Sequence, residues 1–520
     1  MGCWCLTYVG REGAVTSLLC FGGLRLFCAR NPRCIDGADA FIRRLRLYAA
    51  AAVILSLGAQ VVDTAVRKRG EPKGSVARPN IVVVMIDAAR ADRFSSYGYE
   101  RNTTPHIDAL AESGTRFENA YANTNWTAPS TAALFTGKFL SQIGFGEEYL
   151  YLDDRHVTIA ELLTQNGYAT VAFSNSPWIS SSTNLDQGFD NFLYMGERFE
   201  GVQCFSFYRV RTLFEASMDR LRGGDNKGTR KTIAMAQKWL RSYDEPDPFF
   251  MFVHIIDPHT WLRPPRPYDR LFLDQAVDYE SLDQLRLVTS TADVPDDDLE
   301  RELAIFNALY DGEIAYADAQ VGKLFSTLDR LGIQDDTMVV ILADHGEYLY
   351  ERGMFLHDSG LYEAVLRIPL IVKYPAAFQE HQPSVREHPV SLVDLFPTIA
   401  EVAGIELDQE AVELHGRSLM GPLTDHFVIA ESDDNEFKAI LKDGLKLIVN
   451  RDQPDELYDV RADWAEEHNL LPDLEAEAAA LRRKLNRILT RFTFVGLDRQ
   501  RHVEFSDADL ERLRSLGYVR

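Results

Sequence analysis

The sequence predicts an α/β fold: a doubly wound, mostly parallel sheet with a small C-terminal α+β subdomain. Three features point to it. Residues 80–86 (NIVVVMI), 248–256 (PFFMFVHII) and 337–343 (TMVVILA) are unbroken apolar runs rich in β-branched and aromatic side chains, the composition of strands buried on both faces of a parallel sheet. Helical patterns alternate with them at residues 105–113, 131–135, 158–166 and 299–331, and alternating strand and helix is the grammar of a doubly wound sheet. Beyond about residue 425 shorter strands follow at 427–431 and 437–450, with a turn at Asp443-Gly444 and a helix over 473–489, which reads as a separate α+β unit.

A chain of 520 residues exceeds the roughly 250–300 residues at which one core stops growing. The expected division is a leader over 1–75, a catalytic domain over 76–425 and a subdomain over 426–520. An apolar content of 46% is ordinary. The formal charge of −23 opposes a nucleic-acid partner, because phosphate binding needs clustered Lys and Arg. Five cysteines (Cys3, Cys5, Cys20, Cys28, Cys34) crowd the first 34 residues and only Cys204 lies in the body, so the body holds neither a disulfide framework nor a cysteine metal finger.

Within the leader, Arg43, Arg44 and Arg46 precede an uncharged run over 47–62 (LYAAAAVILSLGAQVV). That order resembles a signal sequence or a short signal anchor. The run is shorter than the roughly 20 residues that span a bilayer, Arg67, Lys68 and Arg69 follow it, and a peripheral amphipathic helix is the competing reading. The expectation is an exported or membrane-anchored protein facing the periplasm or the extracellular side.

Chemistry in parallel sheets gathers at strand carboxyl ends. Asp87 stands at the end of the first run, Asp257 and His259 at the end of the second, and Asp344 and His345 at the end of the third; the run over 368–374 delivers no such group. Two carboxylates and an imidazole brought together from distant positions make a divalent metal site. Taken singly, Asp87 or Asp344 reads as the cap of a following helix; taken together they favour metal. Thr127 precedes Pro129-Ser130, a helix start where backbone N–H groups and the helix dipole favour an anion. An N-cap is the ordinary role of a lone Thr there.

These residues resemble the opening of the sulfatases and their relatives in the alkaline phosphatase superfamily. Asp87 with Arg90 and Asp92, Thr127-x-Pro129-Ser130, Asp344-His345-Gly346-Glu347, Arg367-Ile-Pro-Leu and Glu456-Leu-Tyr-Asp459 follow one another as they do in that family, over about residues 78–520. The resemblance implies a metal-dependent ester hydrolase or transferase acting on an anionic ester, with lipid or glycan as candidate partners. The departures are informative. Sulfatases oxidise a signature Cys or Ser to formylglycine, and Thr127 has no such route; Thr131 replaces the signature Arg, and Ala88 the second Asp of the usual pair.

Threonine nucleophiles are typical of the superfamily's phosphoryl-transfer members. The stretch Asp344 to His357 is similar to the phosphoethanolamine transferase pattern, in which a later His and a His after an earlier strand flank the phosphoryl group; by position these are His357 and His259. The expected site is therefore Thr127 as nucleophile, Asp87, Thr127, Asp344 and His345 on one metal, and His259 and His357 as catalytic residues. Asp257, His259 and His357 are candidates for a second metal or for substrate, and Lys138 is a candidate substrate cation. His254 is also a candidate for substrate contact or a second metal but is held to a structural role, and Arg90 either orients the metal carboxylates or pairs with Asp92. With His345 in the set, zinc or manganese is favoured over calcium.

Phosphate mono- or diesters are the expected substrates. A sulfuric ester of a glycan or aryl alcohol is the second reading, and a degenerate, non-catalytic family member the third. Specificity is expected from the loops over 180–235 and 260–300. For the leader, N-terminal sequencing of the mature protein distinguishes a cleaved signal, with a start beyond residue 60, from an anchor that keeps residues 47–62 intact.

Overall fold

The computed structural model describes residues 78–491 except 147–148, 195–226, 274–281, 290–295, 358, 382, 408–413, 424–425 and 433, together with 505–506, 509–510 and 513. The chain separates into Met1–Ala77 and Arg78–Arg520, and the account below concerns the second unit. The leader run over 47–62 lies outside the described residues, among which no helix is long and apolar enough to cross a membrane.

A large sheet of eight strands forms the centre: β1 (Asn80–Ile86), β2 (Thr115–Phe117), β3 (Ala169–Ser174), β4 (Asn191–Tyr194), β5 (Phe249–Ile255), β6 (Thr337–Ala343), β7 (Leu370–Lys373) and β8 (Ser384–Arg386). Their spatial order is β8-β2-β7-β6-β1-β5-β3-β4. Strands β6, β1, β5, β3 and β4 run parallel, whereas β7 is antiparallel to both β6 and β2. The longest apolar runs occupy the middle of the sheet, where both faces are covered. Every residue of β5 and β6, and Ile81–Ile86 of β1, is buried, each large aliphatic side chain contributing about 1.5–3 kcal/mol.

The run over 368–374 does not form one strand. Arg367–Ile368 pairs with Ala120–Tyr121 in a separate small sheet, and only Leu370–Lys373 joins the large one. Pro369 divides the two, having no N–H to give a ladder.

Helices α1 (Pro105–Ser113), α2 (Thr127–Thr136), α3 (Ile159–Gln165), α4 (Thr229–Ser242) and α5 (Asp296–Leu331) belong to this body. Helix α2 begins four residues earlier than its apolar pattern suggests, and all of its residues are buried. At α3 a capping box closes the start: Thr158 accepts from the Glu161 N–H and Glu161 from the Thr158 N–H.

The C-terminal unit is an antiparallel sheet of β9 (Val428–Glu431), β10 (Phe437–Lys442), β11 (Leu445–Asn450) and β12 (Glu456–Asp459), accompanied by α6 (Glu475–Arg491). Asp443 and Gly444 both take positive φ, 51° and 86°, as a tight hairpin turn requires. Against the larger body, Lys446 of β11 sits 2.8 Å from Glu363 and 2.7 Å from Glu466, all three buried. Two carboxyls share one ammonium, and burial pushes the Glu466 carboxyl up to about 7 although Lys446 pulls it down.

Folded Glu466 thus retains a proton that the unfolded chain releases near pH 4.5, so stability falls as pH rises from about 4.5 to 7. Unfolding free energies from urea titrations across that window are expected to fall by up to about 1.4 kcal/mol per pH unit, and the Glu466→Gln variant is expected to flatten that segment.

Candidate active site

Register brings the site together. Ile86 of β1 lies opposite Ala343 of β6 and Ile255 of β5, so Asp87 and Asp344 emerge side by side as the strands end. Met85 pairs with His254 on one side and Leu342 on the other. Side chains two apart share a face, and therefore Asp87, Asp344 and His254 lie on one face of the sheet. All three are fully buried, and one ligand atom from each falls within 4.8 Å of the others.

His254 Nε2 is 3.3 Å from Asp87 Oδ2, though without hydrogen-bond geometry. The structural role expected for His254 overlooked this placement. Matching strands by their sequence ends sets Asp257 beside Asp87, while the observed register sets Ile256 there, and a shift of one residue exchanges the faces.

Thr127 opens α2, with extended backbone at Trp126 before it. Its Oγ1 lies 3.4 Å from Asp87 Oδ1 and 3.2 Å from His345 Nε2. His345 Nδ1 lies 2.8 Å from the Gly346 carbonyl. A carbonyl only accepts, so Nδ1 carries the proton and Nε2 presents its lone pair towards Thr127 and the carboxylates, 3.5 Å from Asp344 Oδ2. Ser130 Oγ donates to the Asp344 carbonyl at 2.8 Å, tying α2 to the end of β6. Ala88 adopts a positive φ of 55°, and its N–H donates to Asp344 Oδ1 at 3.0 Å. The chain thus bends sharply after Asp87 and delivers a donor to the second carboxylate.

His259 and His357 also reach this region: their ring centroids are 5.3 Å apart, and His357 lies 4.3 Å from the His345 ring. His259 Nδ1 donates to the Thr260 carbonyl at 2.7 Å, and burial, with His357 beside it, holds its imidazole well below the ordinary value. Asp257 turns elsewhere. Its Oδ1 is 3.8 Å from Lys227 Nζ, which also sits 3.0 Å from Glu313 and donates to the His259 carbonyl. A buried ammonium therefore already supplies the cation beside Asp257, and the structure does not group Asp257 with the two imidazoles as a second metal site would.

Lys138 follows the far end of α2, roughly 15 Å along the helix from Thr127 at 1.5 Å per residue. It acts on His156, whose imidazole it helps to depress, and is not brought to Thr127. Arg90 pairs with Asp92 and Glu351 rather than with the carboxylates at the strand ends.

The sulfatase family model matches residues 79–405, well over half of the chain. The chain belongs to the sulfatase family. A 27% identical relative, arylsulfatase K of Canis lupus familiaris, aligns over 380 residues, 68% of each chain. Two solved structures share the fold. The phosphonate monoester hydrolase of Agrobacterium radiobacter matches with a TM-score of 0.63 at 21% identity, covering 80% of this chain and 96% of that one. The structure of BT4656 with its substrate D-glucosamine-2-N,6-O-disulfate matches with a TM-score of 0.59 at 22% identity, covering 80% and 97%.

The sulfatase-like fold generally binds a divalent metal, and the residues at this sulfatase-family centre fit one. Asp87 Oδ2, Asp344 Oδ2 and both His254 nitrogens lack hydrogen-bond partners among the described residues. Burial and the adjacent Asp344 push the Asp87 carboxyl up, against the pull of His254 and His345. Two buried carboxylates side by side are costly unless a cation offsets them.

A cation held only by the folded state stabilises it by about 2.7 kcal/mol at a hundredfold excess over Kd. Chelator-stripped protein is therefore expected to gain melting temperature when manganese or zinc is added, and Asp87→Ala to lose most of that gain. Identical melting curves with and without metal would exclude the site.

Proposed function

We propose that the chain is a metal-dependent ester hydrolase or transferase that uses Thr127 as its nucleophile on phosphate mono- or diesters. The reading is carried by the Thr127 hydroxyl, which lies at the start of a buried helix between Asp87 Oδ1 and His345 Nε2, 3.4 and 3.2 Å away. Asp87, Asp344, His345 and Thr127 would hold the cation, with His254 as a further donor beside Asp87. Imidazole in the set favours zinc or manganese over calcium. A divalent ion there supplies Lewis-acid chemistry, lowering the hydroxyl pKa and offsetting charge on the ester.

The side chains account for the remaining steps. Thr127 Oγ1 bonds to phosphorus as the opposite ester P–O bond breaks, its proton leaving through Asp87. The leaving oxygen takes a proton from Nε2 of His357, whose Nδ1 faces the Glu347 carboxylate at 3.0 Å. His259 presents an acceptor nitrogen at Nε2, because its Nδ1 proton is committed to a carbonyl. It receives the proton when water, or the hydroxyl of a lipid or glycan acceptor, bonds to phosphorus and the Thr127 Oγ1–P bond breaks, Thr127 regaining its proton from Asp87. Export or anchoring through residues 47–62 belongs to this reading, supported by the basic-then-apolar order of that segment.

A sulfuric ester is the second reading, favoured by the match to an arylsulfatase. Turnover of p-nitrophenyl phosphate, bis(p-nitrophenyl) phosphate and p-nitrophenyl sulfate, each with zinc, manganese and calcium in turn, separates the two. Phosphoester turnover that falls by at least about 100-fold in Thr127→Ala is expected. Turnover of the sulfate alone would replace phosphorus by sulfur, and full activity in Thr127→Ala would remove the nucleophile.

A further inference from the structure

We infer that Glu347 is a positioning residue that acts through His357, a role that rests on the catalytic reading above. Glu347 is two residues beyond His345, and its side chain is 1% exposed. Its Oε1 lies 3.0 Å from His357 Nδ1, while Oε2 has no hydrogen-bond partner among the described residues. Burying a carboxylate that is only half satisfied costs free energy, and among the described residues the hydrogen-bond partner of the Glu347 side chain is that imidazole.

The rest of the surroundings hold this pair in place from the backbone. The Glu347 carbonyl accepts from Arg90 Nη1 at 3.0 Å. Arg90 is buried, stacked over Trp464 at 5.3 Å, and clamped by Asp92 at 2.8 Å and Glu351 at 2.6 Å. Three residues earlier the same segment carries Asp87, so the guanidinium connects the loop after β1 to the turn that presents Glu347. On the other side, Asn125, two residues before Thr127, donates to the His357 carbonyl at 2.8 Å.

His357 is thus held by its main chain from the nucleophile's side and by its ring from Glu347. An acceptor at Nδ1 holds the ring in one orientation and turns Nε2, from which the leaving oxygen takes its proton, to the opposite edge. Glu347 itself touches no reacting atom. Its contribution is to keep Nε2 of His357 in one orientation.

The test uses the full-length, manganese-loaded chain and whichever of p-nitrophenyl phosphate, bis(p-nitrophenyl) phosphate and p-nitrophenyl sulfate it turns over fastest. Glu347→Ala is expected to lower kcat on the order of 10–100-fold, the usual cost of losing such an outer partner, with KM little changed and bound manganese per chain unchanged. Glu347→Gln, which keeps the volume and an acceptor oxygen, is expected to recover most of the loss. In a His357→Ala background Glu347→Ala is expected to cost nothing more, because residues acting through one another are non-additive.

Equal losses in both backgrounds, no recovery by Gln, or loss of manganese in Glu347→Ala would each overturn the role. A slow His357→Ala enzyme beside a fully active Glu347→Ala enzyme would sink the positioning role alone. Full activity in His357→Ala would sink the catalytic reading with it.

Discussion

Everything at this centre follows from placing two carboxylates, Asp87 and Asp344, at the ends of adjacent parallel strands where water does not reach them. Parallel strands in register deliver neighbouring residues to the same edge, and the buried runs that precede each Asp leave that edge little freedom to shift. The arrangement is electrostatically unfavourable by itself, since like charges in a poorly screened site repel. The surroundings are organised around that cost: an amide N–H from Ala88 on one carboxylate, a threonine hydroxyl and an imidazole near the other.

The polar layer around these carboxylates has two grades of rigidity. Thr127 and His345 are fixed by a helix start and by a short loop off β6, close to the sheet itself. His259 and His357 stand on irregular segments and are steadied by buried charges behind them, Lys227 for one and Glu347 for the other. Acidic and basic residues that a sequence count assigns to the surface are here internal struts: Arg90, Lys227, Glu313 and Lys446 are each buried.

The three central strands were legible because double-sided burial writes an unbroken apolar run, and Asp87, Asp344 and His345 were legible because they end such runs. Strands β3 and β4 were not, since ATVAFS and NFLY are short and mix small with polar residues. The run over 368–374 misled because apolarity alone does not reveal that a proline splits it between two sheets. At the site, Thr127 and His345 meet as the sequence suggests, whereas His254 required the register, which is a property of paired strands and is absent from either strand alone. Asp257 and Lys138 stood in promising sequence positions. A lysine from a distant segment claims the first, and the length of α2 carries the second away.

Threonine at the head of α2 also bears on how the protein is made. A β-branched side chain has restricted χ1 rotation, so the hydroxyl is aimed by its own methyl group. Being a secondary alcohol, it offers no route to the aldehyde that the signature Cys or Ser of sulfatases acquires after synthesis. A host that makes this protein therefore needs no enzyme that converts a Cys or Ser to formylglycine for position 127.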